Sequence, residues 1–206
     1  MDAAGAADDL SFIRTVMERA QRRIDPHAFH FVHWGAIVLV GYPALTLLQR
    51  AGEREAMAWL GGAALLLGSF LSGFREWRLA RRPRLRGGES LVARQVVMAV
   101  WGSLGAAAVV SGFGPATGFI RGEEVPIVWG MAYANLAFTV GVVYSREYLW
   151  SGLFIFSGTI LAMVFDGWNG VILGPFMGLG MIVPGVMAER RVRAMAAEEA
   201  GAGLSG

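Results

Sequence analysis

Apolar residues come in six long blocks along this chain. They do not show the alternation of a half-buried strand or the three-and-four spacing of a half-buried helix. The blocks are Phe31–Leu48, Ala56–Phe74, Gln95–Gly112, Pro126–Tyr144, Tyr148–Phe165 and Val171–Ala188, and none contains an Asp, Glu or Arg. A bilayer core about 30 Å thick needs roughly 17–25 apolar residues per helix, so each block predicts one transmembrane helix. The fold class that follows is all-α: a polytopic integral membrane protein with a bundle of about six transmembrane helices. A soluble protein of this length must clothe itself in polar surface, and six such blocks leave too little of it.

Before the first block, Leu10, Ile13, Met17, Ala20 and Ile24 keep helical spacing, flanked by Phe12 and Val16, while Arg14, Glu18, Arg19, Arg22 and Arg23 take the opposite side. This predicts a short amphipathic helix over Asp9–Ile24, lying on an anionic leaflet or docking a partner. Asp8 or Asp9 can cap its start, and Asp25-Pro26 reads as the cap and first residue of the first span. The expected organisation is a cytoplasmic tail and amphipathic helix over 1–25, a six-helix transmembrane domain over 26–193, and a disordered cytoplasmic tail over 194–206. The first apolar run is followed by Leu48-Gln49-Arg50-Ala51-Gly52, which is no small-x-small cleavage site, so the span is expected to stay in the mature protein.

Charge gives the direction. All 18 basic residues are arginine. Arg50, Arg54 and Arg121 fall in the odd-numbered connections between spans, and the other fifteen fall at the two ends or in the even-numbered connections. By the positive-inside rule, both termini are cytoplasmic and the protein is a multi-pass component of the cell (inner) membrane. The largest group is the basic connection after the second block, with Arg75, Arg78, Arg81, Arg82, Arg84 and Arg86. This asymmetry accounts for the sequence pI near 9.5 without nucleic acid as a partner. Composition agrees with lipid as solvent: 17% of residues are charged and the mean hydropathy is +0.49, against about 25% charge in soluble proteins. There is no cysteine, which excludes disulfides and thiolate chemistry.

Candidate chemistry is sparse. His27, His30 and His33, the chain's three histidines, fan over roughly 120° of one helix, with the outer two about 9 Å apart along its axis. Neighbours three apart can share a metal ion, so this helix offers two ligands at best, and Glu18, Asp25 or Glu147 would have to complete a zinc, copper, iron or haem site. Imidazoles titrate near neutrality, which makes a pH-responsive cluster the second reading. The plain reading is interfacial histidines facing headgroups, water or a neighbouring helix. No cofactor is required by the sequence.

Deep polar residues are few: Asn135 with Tyr133, Thr139 and Tyr144 in the fourth block, and Ser157 and Thr159 in the fifth. Asn135, Tyr133 and Asp166 are the candidate ligand or pathway residues. Asn135 also suits a hydrogen bond between helices, and Asp166 suits a turn in Asp166-Gly167-Trp168-Asn169-Gly170. Ionisable groups that would relay protons deep in the bilayer are missing. Gly112–Gly118 lacks the lysine of a phosphate-binding loop and reads as a turn.

Small residues recur every four positions as Gly170, Gly174 and Gly178 in the sixth block, Ala64, Gly68 and Ser72 in the second, and Ser103, Ala107 and Ser111 in the third. Such stripes let two backbones approach closely, within the chain or between copies. Pro175 and Pro184 can kink the sixth helix. Trp34-Gly35, Trp101-Gly102 and Trp129-Gly130, with Arg75-Glu76-Trp77 and Arg146-Glu147-Tyr148, form a weak echo expected of tandem hairpins, although aromatic and charged residues gather at interfaces anyway.

Three functions are compatible. The first is a non-catalytic membrane component, an accessory subunit, sensor or anchor that engages a partner at the cytoplasmic face. The second is a small oligomeric transporter or channel built from hairpins. The third is a metal- or haem-binding membrane enzyme that uses the histidines. The expected partners are the lipid bilayer and either further copies of the chain or another membrane protein.

Overall fold

The computed structural model describes residues 28–81, 91–143, 146–165 and 167–202. They form six helices: α1 (Ala28–Ala51), α2 (Arg54–Ala80), α3 (Leu91–Thr117), α4 (Val125–Val143), α5 (Arg146–Val164) and α6 (Asn169–Ala202). A short 3-10 turn, Gly122–Glu124, precedes α4. Each of the six helices is long and apolar enough to cross a membrane, and they match the six apolar blocks one for one. No strand occurs among the described residues. The amphipathic segment Asp9–Ile24 lies outside the described residues.

Three expectations need correction. α2 runs on to Ala80, so Arg75 and Arg78 are helical residues and the basic connection starts later. α3 continues through Phe113–Thr117, and only Gly118, with φ +73°, turns the chain. α6 extends through 194–202, where a disordered tail was expected. In the first and last cases the extension is rich in Ala, Arg, Leu, Met and Glu, which are strong helix formers. Apolar block length marks the membrane crossing, and helix propensity carries the helix beyond it.

The turn chemistry is explicit at two helix ends. After α1, the Gly52 N–H donates to the Gln49 carbonyl (3.1 Å) and the Glu53 N–H to the Leu48 carbonyl (3.0 Å). After α3, the Gly118 N–H donates to the Pro115 carbonyl (3.3 Å) and the Phe119 N–H to the Gly114 carbonyl (2.9 Å). Both are the paired reverse bonds of a Schellman cap, which needs a left-handed residue after the helix. Gly52, at φ +77°, and Gly118 supply it.

Packing is uneven. The core joins Val38 of α1, Ala134 of α4, Ile155 and Ala162 of α5, and Leu173, Met177 and Met181 of α6. A smaller cluster, Leu136, Val140 and Tyr148, is covered by Phe31 of α1 and by Val100 and Leu104 of α3. Half of the α6 span is buried inside the bundle, but only 6% of the α2 span and 11% of the α3 span. Four helices, α1, α4, α5 and α6, therefore make the body. α2 rests chiefly on α1, and α3 on α4.

The tightest interface is α1 against α6. A Cβ on Gly178 would stand 2.5 Å from Leu39 Cβ, one on Gly174 would stand 2.6 Å from Pro43 Cδ, and one on Gly170 would collide with Thr46 Oγ1. In a bilayer, helices gain little from the hydrophobic effect and associate through close packing. The stripe of the sixth block is thus an internal seam, and α6 stays a continuous helix across Pro175 and Pro184.

Candidate functional site

Histidines on a membrane helix need partners for their ring nitrogens, because an unpaired polar group there is costly. His30 and His33 are one turn apart on α1, and both find partners on α2. His30 Nδ1 lies 3.2 Å from Ser72 Oγ, and His30 Nε2 lies 2.9 Å from Glu76 Oε1. His33 Nδ1 donates to the Phe29 carbonyl at 2.8 Å. His33 Nε2 lies 3.0 Å from Ser72 Oγ and 3.3 Å from the Gly68 carbonyl oxygen. Trp34 Nε1–H also donates to Ser72 Oγ, at 3.2 Å. One hydroxyl thus receives three side chains of α1.

Counting hydrogens defines what this clasp requires. The Phe29 carbonyl and an ionised Glu76 only accept, so His33 Nδ1 and His30 Nε2 must each carry a hydrogen. Ser72 has one hydrogen to give and faces two ring nitrogens, His30 Nδ1 and His33 Nε2. The Gly68 carbonyl beside His33 Nε2 also only accepts, so that nitrogen donates and the Ser72 hydrogen is left for His30 Nδ1.

Surrounding groups fix the clasp. The Phe29 ring stacks on His33 with centroids 4.7 Å apart, and the Arg75 guanidinium sits 4.4 Å from the Phe29 centroid. Gly68 leaves room for the Trp34 ring, which a Cβ at that position would strike. Gly68, Ser72 and Glu76 recur every four residues and form one face of α2. By sequence Gly68 and Ser72 belong to a stripe of small residues, and the structure adds Glu76 to the same face. The signal was available: a carboxylate continues the stripe at the end where the histidines begin the preceding span.

The other candidates are dispersed. His27, Asp166, Arg82, Arg84 and Arg86 lie outside the described residues, and among the described residues no three His, Asp or Glu side chains gather as a metal site. Glu147 forms an ion pair with Arg191. Arg78 and Arg81 lie over the rings of Phe74 and Trp77, at 5.8 and 3.8 Å from the centroids.

Asn135 and Tyr133 are two residues apart on α4 and take different faces. Asn135 Nδ2 donates to Ser103 Oγ of α3 at 3.1 Å on the outside of the body. Tyr133 packs inward beside Trp129, against the core. They do not share a cavity. The α3 stripe also turns inward to the chain, with Ser103 bonded to Asn135 and Ala107 buried.

Two concavities flank the body. One, of about 460 Å³, runs between α5 and α6 along Trp150, Phe154, Leu179 and Val183 and is almost wholly apolar. The other, of about 290 Å³, is polar and lies at the far end of α1 from the histidines, between Arg50, Glu123 and Asn169. No protein-family model, no curated protein and no solved structure matches the chain.

Proposed function

We propose that the chain is a non-catalytic component of the cell (inner) membrane, an accessory subunit or sensor with both termini in the cytoplasm. One observation carries the reading: Asn135, His30, His33 and Trp34, polar side chains within the spans, are engaged in holding helices to one another. Asn135 ties α4 to α3, and His30, His33 and Trp34 tie α1 to α2 through Ser72. A transport pathway or a reaction needs polar groups turned toward a ligand. Here Asn135 and the histidine pair are turned toward neighbouring helices.

The clasp also suits a sensor. α2 is the least buried span, and a polar cluster centred on Ser72 ties it to α1. The exposed face of α2, with Trp59, Leu66 and Phe70, and Arg78 and Arg81 toward its end are where a membrane partner would meet this helix.

Mild detergent extraction tests this. The expected result is recovery of the chain with a second protein at fixed stoichiometry, lost when Ser72→Ala loosens α2. Recovery as a lone homo-oligomer that supports solute flux in liposomes would overturn the proposal in favour of a transporter.

A further inference from the structure

The polar pocket at the other end of α1 holds an unanswered acceptor. Asn169 begins α6 and is only 4% exposed. Its Nδ2 donates to the Glu123 carbonyl at 2.9 Å, which fixes the amide orientation. Its Oδ1 is buried and has no hydrogen-bond partner. Buried side-chain oxygens are seldom left this way, and Asn169 is among the residues that line a pocket of about 290 Å³. What fills it must bring a hydrogen to donate.

The rest of the lining adds two charges of opposite sign. Arg50 is held in place, its guanidinium 4.2 Å from the Trp168 ring centroid and its Nη1 donating to the Gly167 carbonyl at 3.3 Å. A guanidinium has five N–H donors in a fork that suits phosphate and carboxylate. The start of α6 stands beside it, where the first backbone N–H groups lack helical acceptors and the helix dipole favours an anion. Glu123 also lines the pocket. Arg121 bridges its carboxylate at 2.7 Å, but a carboxylate can accept several hydrogens at once.

We propose that this pocket binds a small zwitterion carrying a primary ammonium and an anionic group, the chemistry of an aminophospholipid headgroup or of free phosphoethanolamine. The ammonium donates to Asn169 Oδ1 and Glu123, and the anionic group meets Arg50 and the start of α6. The site lies where α1 ends its crossing, at the height where Trp168 and Arg50 mark a membrane interface. Its volume admits a headgroup and leaves acyl chains outside. It is independent of the histidine clasp, which lies roughly 25 Å away by the rise of α1.

The test compares lipids that differ only in methylation of the amine. The full chain is placed in nanodiscs of phosphatidylethanolamine and phosphatidylcholine with identical acyl chains, and the lipid retained on extraction is read by native mass spectrometry. A quaternary amine has no N–H to give Asn169, so phosphatidylethanolamine should be retained over phosphatidylcholine by at least about tenfold. Arg50→Gln and Glu123→Gln should each abolish that preference while the bundle stays folded, since both side chains reach solvent. A parallel calorimetric titration with free phosphoethanolamine separates the sources: binding there without a lipid preference supports the zwitterion site with a soluble ligand. Equal retention of both lipids with no phosphoethanolamine binding, or a preference that survives both substitutions, would overturn the proposal and leave an ordered water as the partner of Asn169.

Discussion

Gly178 of α6 and Leu39 of α1 approach until a Cβ on the glycine would stand 2.5 Å from the leucine Cβ. Gly41, also in a membrane helix, has open space where its Cβ would go. The pair gives an internal control. In a helix interior, alanine is favoured over glycine by about 1 kcal/mol, so Gly41→Ala should leave the melting temperature unchanged or raise it. Gly178→Ala meets backbone and Cβ atoms that cannot swing aside, and overpacking of this kind costs about 1–3 kcal/mol. Its melting temperature in detergent should fall, and Gly178→Leu should fail to yield a monodisperse bundle. Equal behaviour of the two alanine variants would show that the α1–α6 seam is not closed as described.

Ser72 should matter more than its size suggests. Ser72→Ala removes the common partner of His30, His33 and Trp34 and leaves polar atoms without one at a largely buried site, at a cost of about 1–3 kcal/mol. The loss should appear as separation of α2 from α1, because α2 has little other support. Spin labels on the exposed faces of the two helices would report a longer and broader distance by double electron–electron resonance. Glu76→Gln keeps a hydrogen-bonding group at a half-exposed position, so its effect should be slight.

The six spans were legible because lipid imposes a single demand, an apolar run of fixed length, that the blocks meet without reference to one another. The small-residue stripes were legible as packing surfaces for the same reason. Their partners were not. Gly178 could have faced a second copy, and only three-dimensional placement sets it against Leu39. The histidine site was half legible: the spacing of His30 and His33 put them on one side of α1, but their partners Ser72 and Glu76 sit about forty residues away. Asn169 lay unremarked inside a turn-forming sequence, because its burial depends on the Gly122–Glu124 turn folding over it.

Asn135 should be dispensable for stability and for any solute flux. Its amide reaches Ser103 on an outward face, and hydrogen bonds between membrane helices average about 0.6 kcal/mol. Asn135→Leu should therefore loosen α3 alone, raising proteolysis or hydrogen exchange in α3 while α1, α4, α5 and α6 stay protected. A collapse of the whole bundle would place Asn135 in the core, contrary to the packing described.

The direction of the bundle can be read without background, because the chain has no cysteine. Phe119, 78% exposed in the connection before α4, stands on the side that carries Arg50, Arg54 and Arg121. Arg193 extends from α6 on the other side, with Arg190 and Arg191. Six successive crossings would put these sides on opposite faces of the membrane, and the arginine bias predicts a cytoplasmic Arg193 side. In intact cells with a permeabilised outer layer, a membrane-impermeant maleimide should label Phe119→Cys and leave Arg193→Cys untouched until the inner membrane is broken. The reverse pattern would turn the molecule over, and labelling of both would mean that a span fails to cross.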